Sequence, residues 1–201
     1  MADPKGGSGA DEPVERFEPT SGRIMGTIAL VLVAAVVVIG VLDREHGFPL
    51  PVVLGAVVFG ILVWAAMLRP RVWATGDDLV MRNMLNTAHI PLAAIEQVAV
   101  RQVLAVSAGE RRFVSPAIGR SLRQTLKSNR TSAQPAATQS YPVFVEERIS
   151  QLADDARTQR GVRRFSEEQV ALGAEVRTSW AWPEIVGLVG FGVAFLVSLF
   201  V

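Results

Sequence analysis

The sequence predicts a membrane-anchored α+β protein: a two-helix transmembrane hairpin, a small β-barrel or meander bearing amphipathic helices, and a third, C-terminal transmembrane helix. Three observations carry that prediction. Half of the 201 residues are hydrophobic, too large a share for a soluble domain of this size unless the excess is concentrated in spans. It is concentrated, in three long apolar runs. Between the second and third runs the pattern changes to short alternating stretches separated by turn residues, which is how strands read.

Residues 24–42 (IMGTIALVLVAAVVVIGVL) and 50–68 (LPVVLGAVVFGILVWAAML) hold no charge, and each is close to the ~20 residues that cross ~30 Å of hydrocarbon. The third run, residues 180–201 (WAWPEIVGLVGFGVAFLVSLFV), carries Glu184 near its start, where a headgroup-level carboxylate is expected rather than a proton or ion path. A chain of this length has no room to hide three such helices as core. A cleaved signal peptide is not expected either, because residues 1–22 are polar and acidic and the first run is followed by DREHGFPLP instead of a small-residue cleavage pattern.

Basic residues set the orientation. The connector after the first run holds Arg44 offset by Asp43 and Glu45, whereas Arg16, Arg23, Arg69, Arg71, Arg163, Arg164 and Arg177 flank the other ends. Positive-inside bias therefore places the amino terminus and the long middle segment in the cytoplasm of a multi-pass plasma-membrane protein. Trp64, Trp73, Trp180 and Trp182 fall near the inner boundary, where indoles prefer to sit.

The middle segment, 71–179, has 15 Lys/Arg against 11 Asp/Glu, a sign that suits an anionic leaflet and is also what positive-inside bias gives by itself. Residues 72–75 and 79–84 read as strands joined at Gly76-Asp77-Asp78, followed by strands at 87–92 and 95–102. Strands at 103–107 and 111–114 flank Ala108-Gly109-Glu110, a hairpin with glycine where a positive φ is wanted. Val80, Ile90, Val98, Val100 and Leu104 are expected to point inward. Residues 116–129 place Ile118, Leu122 and Leu126 at helical spacing with Arg120, Arg123 and Lys127 around them, a basic amphipathic helix. Residues 130–141 are a polar linker. A helix resumes over 142–160 with Val145, Ile149, Leu152 and Ala156 as its apolar stripe and Asp154, Asp155, Arg157 and Arg160 on a solvated face. Ser166-Glu167-Glu168-Gln169 is a capping box that opens another helix, expected to run toward Trp180.

Taken by domain, the expectation is a disordered cytoplasmic tail at 1–22, the hairpin at 23–69, the β-rich domain at 70–129, the linker at 130–141, cytoplasmic helices at 142–179 and the last span at 180–201.

The order of a two-span hairpin, then "RPRVWATGDDLVMRN", then "HIPLAAIEQVAVRQ", resembles the small bacterial pleckstrin-homology-like family common in actinobacterial membrane proteins. The matching residues are Arg69, Pro70, Arg71 and Val72, then Leu79, Val80, Arg82 and Asn83, then Ile90, Pro91, Ile95 and Val98. Leu92 replaces the usual tryptophan, and Asp77-Asp78 occupies a turn where glycine is typical. The resemblance covers roughly 69–123 and implies a partial or complete pleckstrin-homology barrel. It does not imply phosphoinositide binding, since the loop that would be basic is the acidic Gly76-Asp77-Asp78, which repels phosphate. It implies a protein-interaction or membrane-scaffold module.

The leading expectation is thus a non-enzymatic integral membrane protein whose cytoplasmic domain docks or scaffolds a protein partner at the inner leaflet. The alternative is an anionic-lipid-binding or lipid-sensing module using Arg111, Arg112, Arg120, Arg123 and Lys127, which are the candidate lipid- or partner-facing residues in either case. An enzyme is disfavoured. The chain has no cysteine, its histidines are only His46 and His89, and it shows no phosphate-cradling loop, Ser/His/Asp spacing or paired carboxylates in an apolar run. His89 is expected to be a half-exposed strand residue, not a base or ligand. No catalytic, metal or cofactor residue is assigned. Dispersed aromatics argue against nucleic acid, and a homo-oligomer is compatible with the sequence.

Overall fold

The computed structural model describes residues 14–19, 22–42, 47–119 and 141–200. In chain order these form β1 (Glu15–Phe17), α1 (Arg23–Leu42), α2 (Leu50–Val63) with a π-helical extension (Trp64–Leu68), β2 (Arg71–Ala74), β3 (Asp78–Arg82) and β4 (Asn86–Pro91). A 3-10 turn (Leu92–Ala94) leads into β5 (Ile95–Val100), β6 (Leu104–Ala108) and β7 (Arg111–Ser115), followed by α3 (Tyr141–Arg160), α4 (Glu167–Gly173), β8 (Arg177–Trp180) and α5 (Trp182–Ser198). The class is α+β with antiparallel sheets and two apolar helices near the amino terminus. The chain divides into an α+β unit, built from β1 with Arg71–Arg82 and Thr87–Ser179, and a helical unit built from Ser21–Pro70, Asn83–Asn86 and Trp180–Val201.

In the α+β unit the six strands read from alternation are present within a residue or two of their expected ends. β1 to β4 pair antiparallel in order with β8 beside β4, and β5 to β7 form a second antiparallel sheet. Leu79 faces Ile90 across the β3–β4 ladder and Val72 faces Met81 across β2–β3; all four are buried in one core. Helix α3 adds Val145, Ile149 and Ala153 to that core, and complete burial of a side chain the size of Ile149 contributes about 1.5–3 kcal/mol.

Ile90, Val98, Val100 and Leu104 join the core as expected, but Val80 does not. It is buried on the opposite face, in a cross-strand row with Trp73 and His89, because the side-chain period of two that sends Leu79 and Met81 inward must turn Val80 outward. His89 is half-buried in β4, as its strand position suggested.

Several other expectations are corrected. Residues 15–17 were placed in a disordered tail, yet they form β1, whose Phe17 enters the core opposite Val72. The backbone N–H of Glu18 donates to the Tyr141 hydroxyl at 2.6 Å, and the Arg148 guanidinium pairs with Glu15 at 2.8 Å, so α3 staples this strand in place. Burial holds the Tyr141 phenol above its ordinary value, against the opposing effect of that hydrogen bond.

Arg157 is not on a solvated face. It is 5% exposed and donates to the Ile95 carbonyl and to Asp154. The helix opened by Ser166 stops at Gly173 instead of continuing to Trp180, and the chain goes on as β8. A Cβ on Gly173 would lie 2.9 Å from the backbone of Gly109, so this close approach requires glycine. Of the expected basic helix, Pro116–Gly119 form a turn with Ile118 fully buried, while 120–129 and the linker up to 140 lie outside the described residues.

In the helical unit, α1 packs on α2 and α2 on α5. Arg23–Leu42 and Leu50–Leu68, at 20 and 19 residues, are long enough and apolar enough to cross a membrane. The expected third span is shorter: Trp180 belongs to β8 and the helix spans 17 residues, about 26 Å at ~1.5 Å per residue. Gly26 lies close against the π-helical extension, where a Cβ would come within 3.0 Å of the Met67 Cβ. After the π-helical extension, Arg69 is 7% exposed; its Nε donates to Glu184 at 2.7 Å and its Nη1 to the carbonyls of Asn83 and Met84. Glu184 is therefore the partner of a buried arginine and not a free headgroup-level carboxylate.

Candidate functional site

The most elaborated surface of the α+β unit lies on the outer face of the second sheet, at the hairpin end. Ala108 and Arg111 pair across a two-residue connection, Gly109-Glu110, with Gly109 at φ 58°, a value that favours glycine at the first loop position. Gln97, Ser107 and Arg112 are consecutive partners across β5, β6 and β7, so the pleat sends all three to the same side, away from Val98 and Val106 in the core. The register shifts between Ile95 and Gln97, and the bulge places Glu96 at the rim. These residues form one side of an open groove of about 560 Å³, completed by Gly109, Glu110, Arg111 and, from the loop before α4, Arg164 and Phe165.

That loop is held in an unusual conformation. Phe165 has φ 58°, the only described non-glycine residue in the left-handed region, and it is 72% exposed. A bulky side chain there costs roughly 1–2 kcal/mol. Gln169 secures it: its side-chain carbonyl accepts from the Phe165 N–H at 2.6 Å, and its amide donates to the carbonyls of Ile95 at 3.0 Å and Ala93 at 3.4 Å. Gln169 is fully buried, so the capping residue that sequence reading gave a purely helical role ties the loop to the start of β5. The Ser166 hydroxyl completes the cap by accepting from the Gln169 N–H at 3.2 Å. The Gly109–Gly173 contact brings the other end of α4 against the β6–β7 hairpin, so the helix spans from one wall of the groove to the other.

Charge in the groove is mixed. The Arg111 guanidinium lies 5.3 Å from the Phe113 ring centre and that of Arg164 lies 5.6 Å from the Phe165 ring, cation–π contacts that do not consume their N–H groups. Arg111, Arg112 and Arg164 have no carboxylate partner among the described residues, unlike Arg148, Arg157, Arg160 and Arg177 of the same unit. Glu96 and Glu110 stand among them.

Of the five residues singled out from sequence, the structure places Arg111 and Arg112 in this groove; Arg120, Arg123 and Lys127 lie outside the described residues. Sequence reading missed Arg164 and Phe165 as members because they are more than 50 positions from Arg111 and only the Gln169 anchor brings them close. The one local signal was the capping box, which fixes where α4 begins. Among the described residues no cluster of three or more metal-ligating side chains occurs. Comparison with protein families, with curated proteins and with solved structures returns no match to this chain.

Proposed function

We propose that the chain is a non-enzymatic integral membrane protein in which apolar helices hold a small pleckstrin-homology-like unit at the cytoplasmic face, and that this unit docks a protein partner. The observation that carries the reading is the groove: guanidiniums without carboxylate partners among the described residues, beside an exposed aromatic that is held in a costly backbone conformation. Backbone strain of this kind persists where the surroundings over-determine it, and such places are concentrated at ligand-contacting sites. Arginine and large aromatics are also the residue types that dominate protein interfaces.

Two further features support the reading. Ile24, Met25, Ile28, Val31 and Leu32 along α1 are all exposed, a contiguous apolar surface that water does not tolerate and lipid does. The resemblance implies a partial or complete pleckstrin-homology barrel, and two antiparallel three-strand meanders, β2 to β4 and β5 to β7, with α3 added to their core, are compatible with a partial one.

Topology is tested by placing single cysteines at Phe48 and at Thr158 in this cysteine-free chain and labelling intact cells with an impermeant maleimide. Labelling at 48 and protection at 158 are expected; the reverse overturns the orientation. Docking is tested by a photo-crosslinking amino acid at Ser107 in the full chain in its own host cells. Discrete protein adducts that disappear with Arg112→Glu are expected, and crosslinks to lipid alone would replace docking by the anionic-lipid reading.

A further inference from the structure

Resting on the docking reading, we infer that the segment received by the groove is a short acidic stretch of polypeptide that carries a large apolar side chain beside its carboxylates. The first argument is charge. Arg111, Arg112 and Arg164 present three guanidiniums without carboxylate partners among the described residues, two of them lying over aromatic rings. A carboxylate meets a guanidinium with two parallel hydrogen bonds and little further loss of side-chain freedom.

The second argument is Phe165. Phe165 lies at the groove with its side chain 72% exposed, and its backbone N–H is held from behind by the buried Gln169, so the backbone that carries this apolar contact is set in advance. Locking it in advance removes part of the ordering cost of association. A ligand bearing charge alone would leave that ring uncovered.

The third argument separates a polypeptide from a bilayer. Glu96 and Glu110 share the groove with the arginines, so a sheet of phosphates would meet repulsion along with attraction. A polypeptide can place a carboxylate on each guanidinium and an N–H group or a basic side chain on each glutamate. The concave shape, about 560 Å³, also suits an inserted chain better than a plane.

The full chain is reconstituted in phosphatidylcholine nanodiscs and titrated against a fluorescein-labelled nonapeptide alternating glutamate with leucine, together with its glutamine and lysine analogues, by fluorescence anisotropy. The glutamate peptide is expected to bind, at least about tenfold more tightly than the glutamine analogue, with affinity that falls as salt rises. Arg112→Glu and Arg164→Glu should each weaken it about tenfold, as removal of an interface arginine commonly does, and Phe165→Ala several-fold. Arg101→Glu, an exposed charge outside the groove, should leave it unchanged. Equal binding of the glutamate and glutamine peptides, or indifference to both reversals, overturns the acidic assignment. So does capture of the nanodiscs by phosphatidylglycerol vesicles without peptide binding, which would make lipid the occupant. If the peptides fail while a crosslinker at Ser107 still captures protein in cells, the acidic chemistry falls and the docking reading stands.

Discussion

Deleting the carboxylate of Glu184 should loosen the helical unit by an amount that its surroundings define. The Arg69 and Glu184 side chains keep 6% and 15% of their exposure and meet at 2.7 Å, so both charges are largely removed from water. Breaking such a pair by removing one partner costs about 3–5 kcal/mol, mostly because the other charge is left behind. Glu184→Leu belongs at the low end, about 3 kcal/mol, since Arg69 retains the carbonyls of Asn83 and Met84 as acceptors. Arg69→Met should cost about 4 kcal/mol, because it strands the carboxylate and strips both carbonyls of their donor. With both partners replaced by apolar groups the two desolvation penalties disappear together and only the two carbonyls are left without their donor, so the double variant should lose about 2 kcal/mol where independent sites would lose about 7. The assay is a double-mutant cycle on the full chain in mild detergent, with unfolding followed by circular dichroism. Additivity within about 0.5 kcal/mol would show that Arg69 and Glu184 do not stabilise each other, and the reasoning would be wrong.

Phe165→Gly should relieve the left-handed strain and, after the entropy that glycine adds to the unfolded chain, raise stability by about 0.5–1 kcal/mol while weakening capture at Ser107; a stability loss would mean that the ring is a packing element. Tyr141 carries a raised folded-state pKa, so its contribution is fully present below the unfolded phenol value near 10 and fades as pH rises through the higher folded value. Tyr141→Phe should therefore flatten the alkaline limb of the stability profile above pH ~10, and an unchanged limb would place the alkaline transition elsewhere.

The β-rich region was legible because alternation is a property of consecutive residues, and six strands could be located from it. What alternation leaves open is which phase faces the core. In β3 both phases are apolar, with Leu79 and Met81 on one side and Val80 on the other, so the neighbouring strand decided the matter. β1 was invisible for a different reason: Glu15-Arg16-Phe17 has no pattern of its own, and its strand character comes from pairing with β2 and from anchors on α3. Arg157 reads as a surface residue because charge normally marks a wet face, and Gln169 reads only as part of a helix cap. Both are buried to serve the Ile95 carbonyl, at a strand irregularity that local composition does not announce. The groove was half legible. Arg111 and Arg112 are adjacent and basic, but their companions arrive by way of α4, and no spacing rule connects position 112 with 165.

The Arg69–Glu184 pair also has a place in time. These residues are 115 positions apart, and the whole stretch from β2 to β8 is made between them. At a synthesis rate of about 5–20 residues per second, Arg69 is added to the chain roughly 6–23 s before its carboxylate exists. During that interval α2 lacks the helix that will cover it, and Gly55 waits for the ring of Phe195. The strands of the α+β unit, β8 included, are made before Glu184, so that unit can fold first, and α5 then covers α2. A nascent chain halted before Trp182 would be left with an unneutralised arginine and one uncovered face of α2, the sort of surface that quality-control proteases and chaperones recognise.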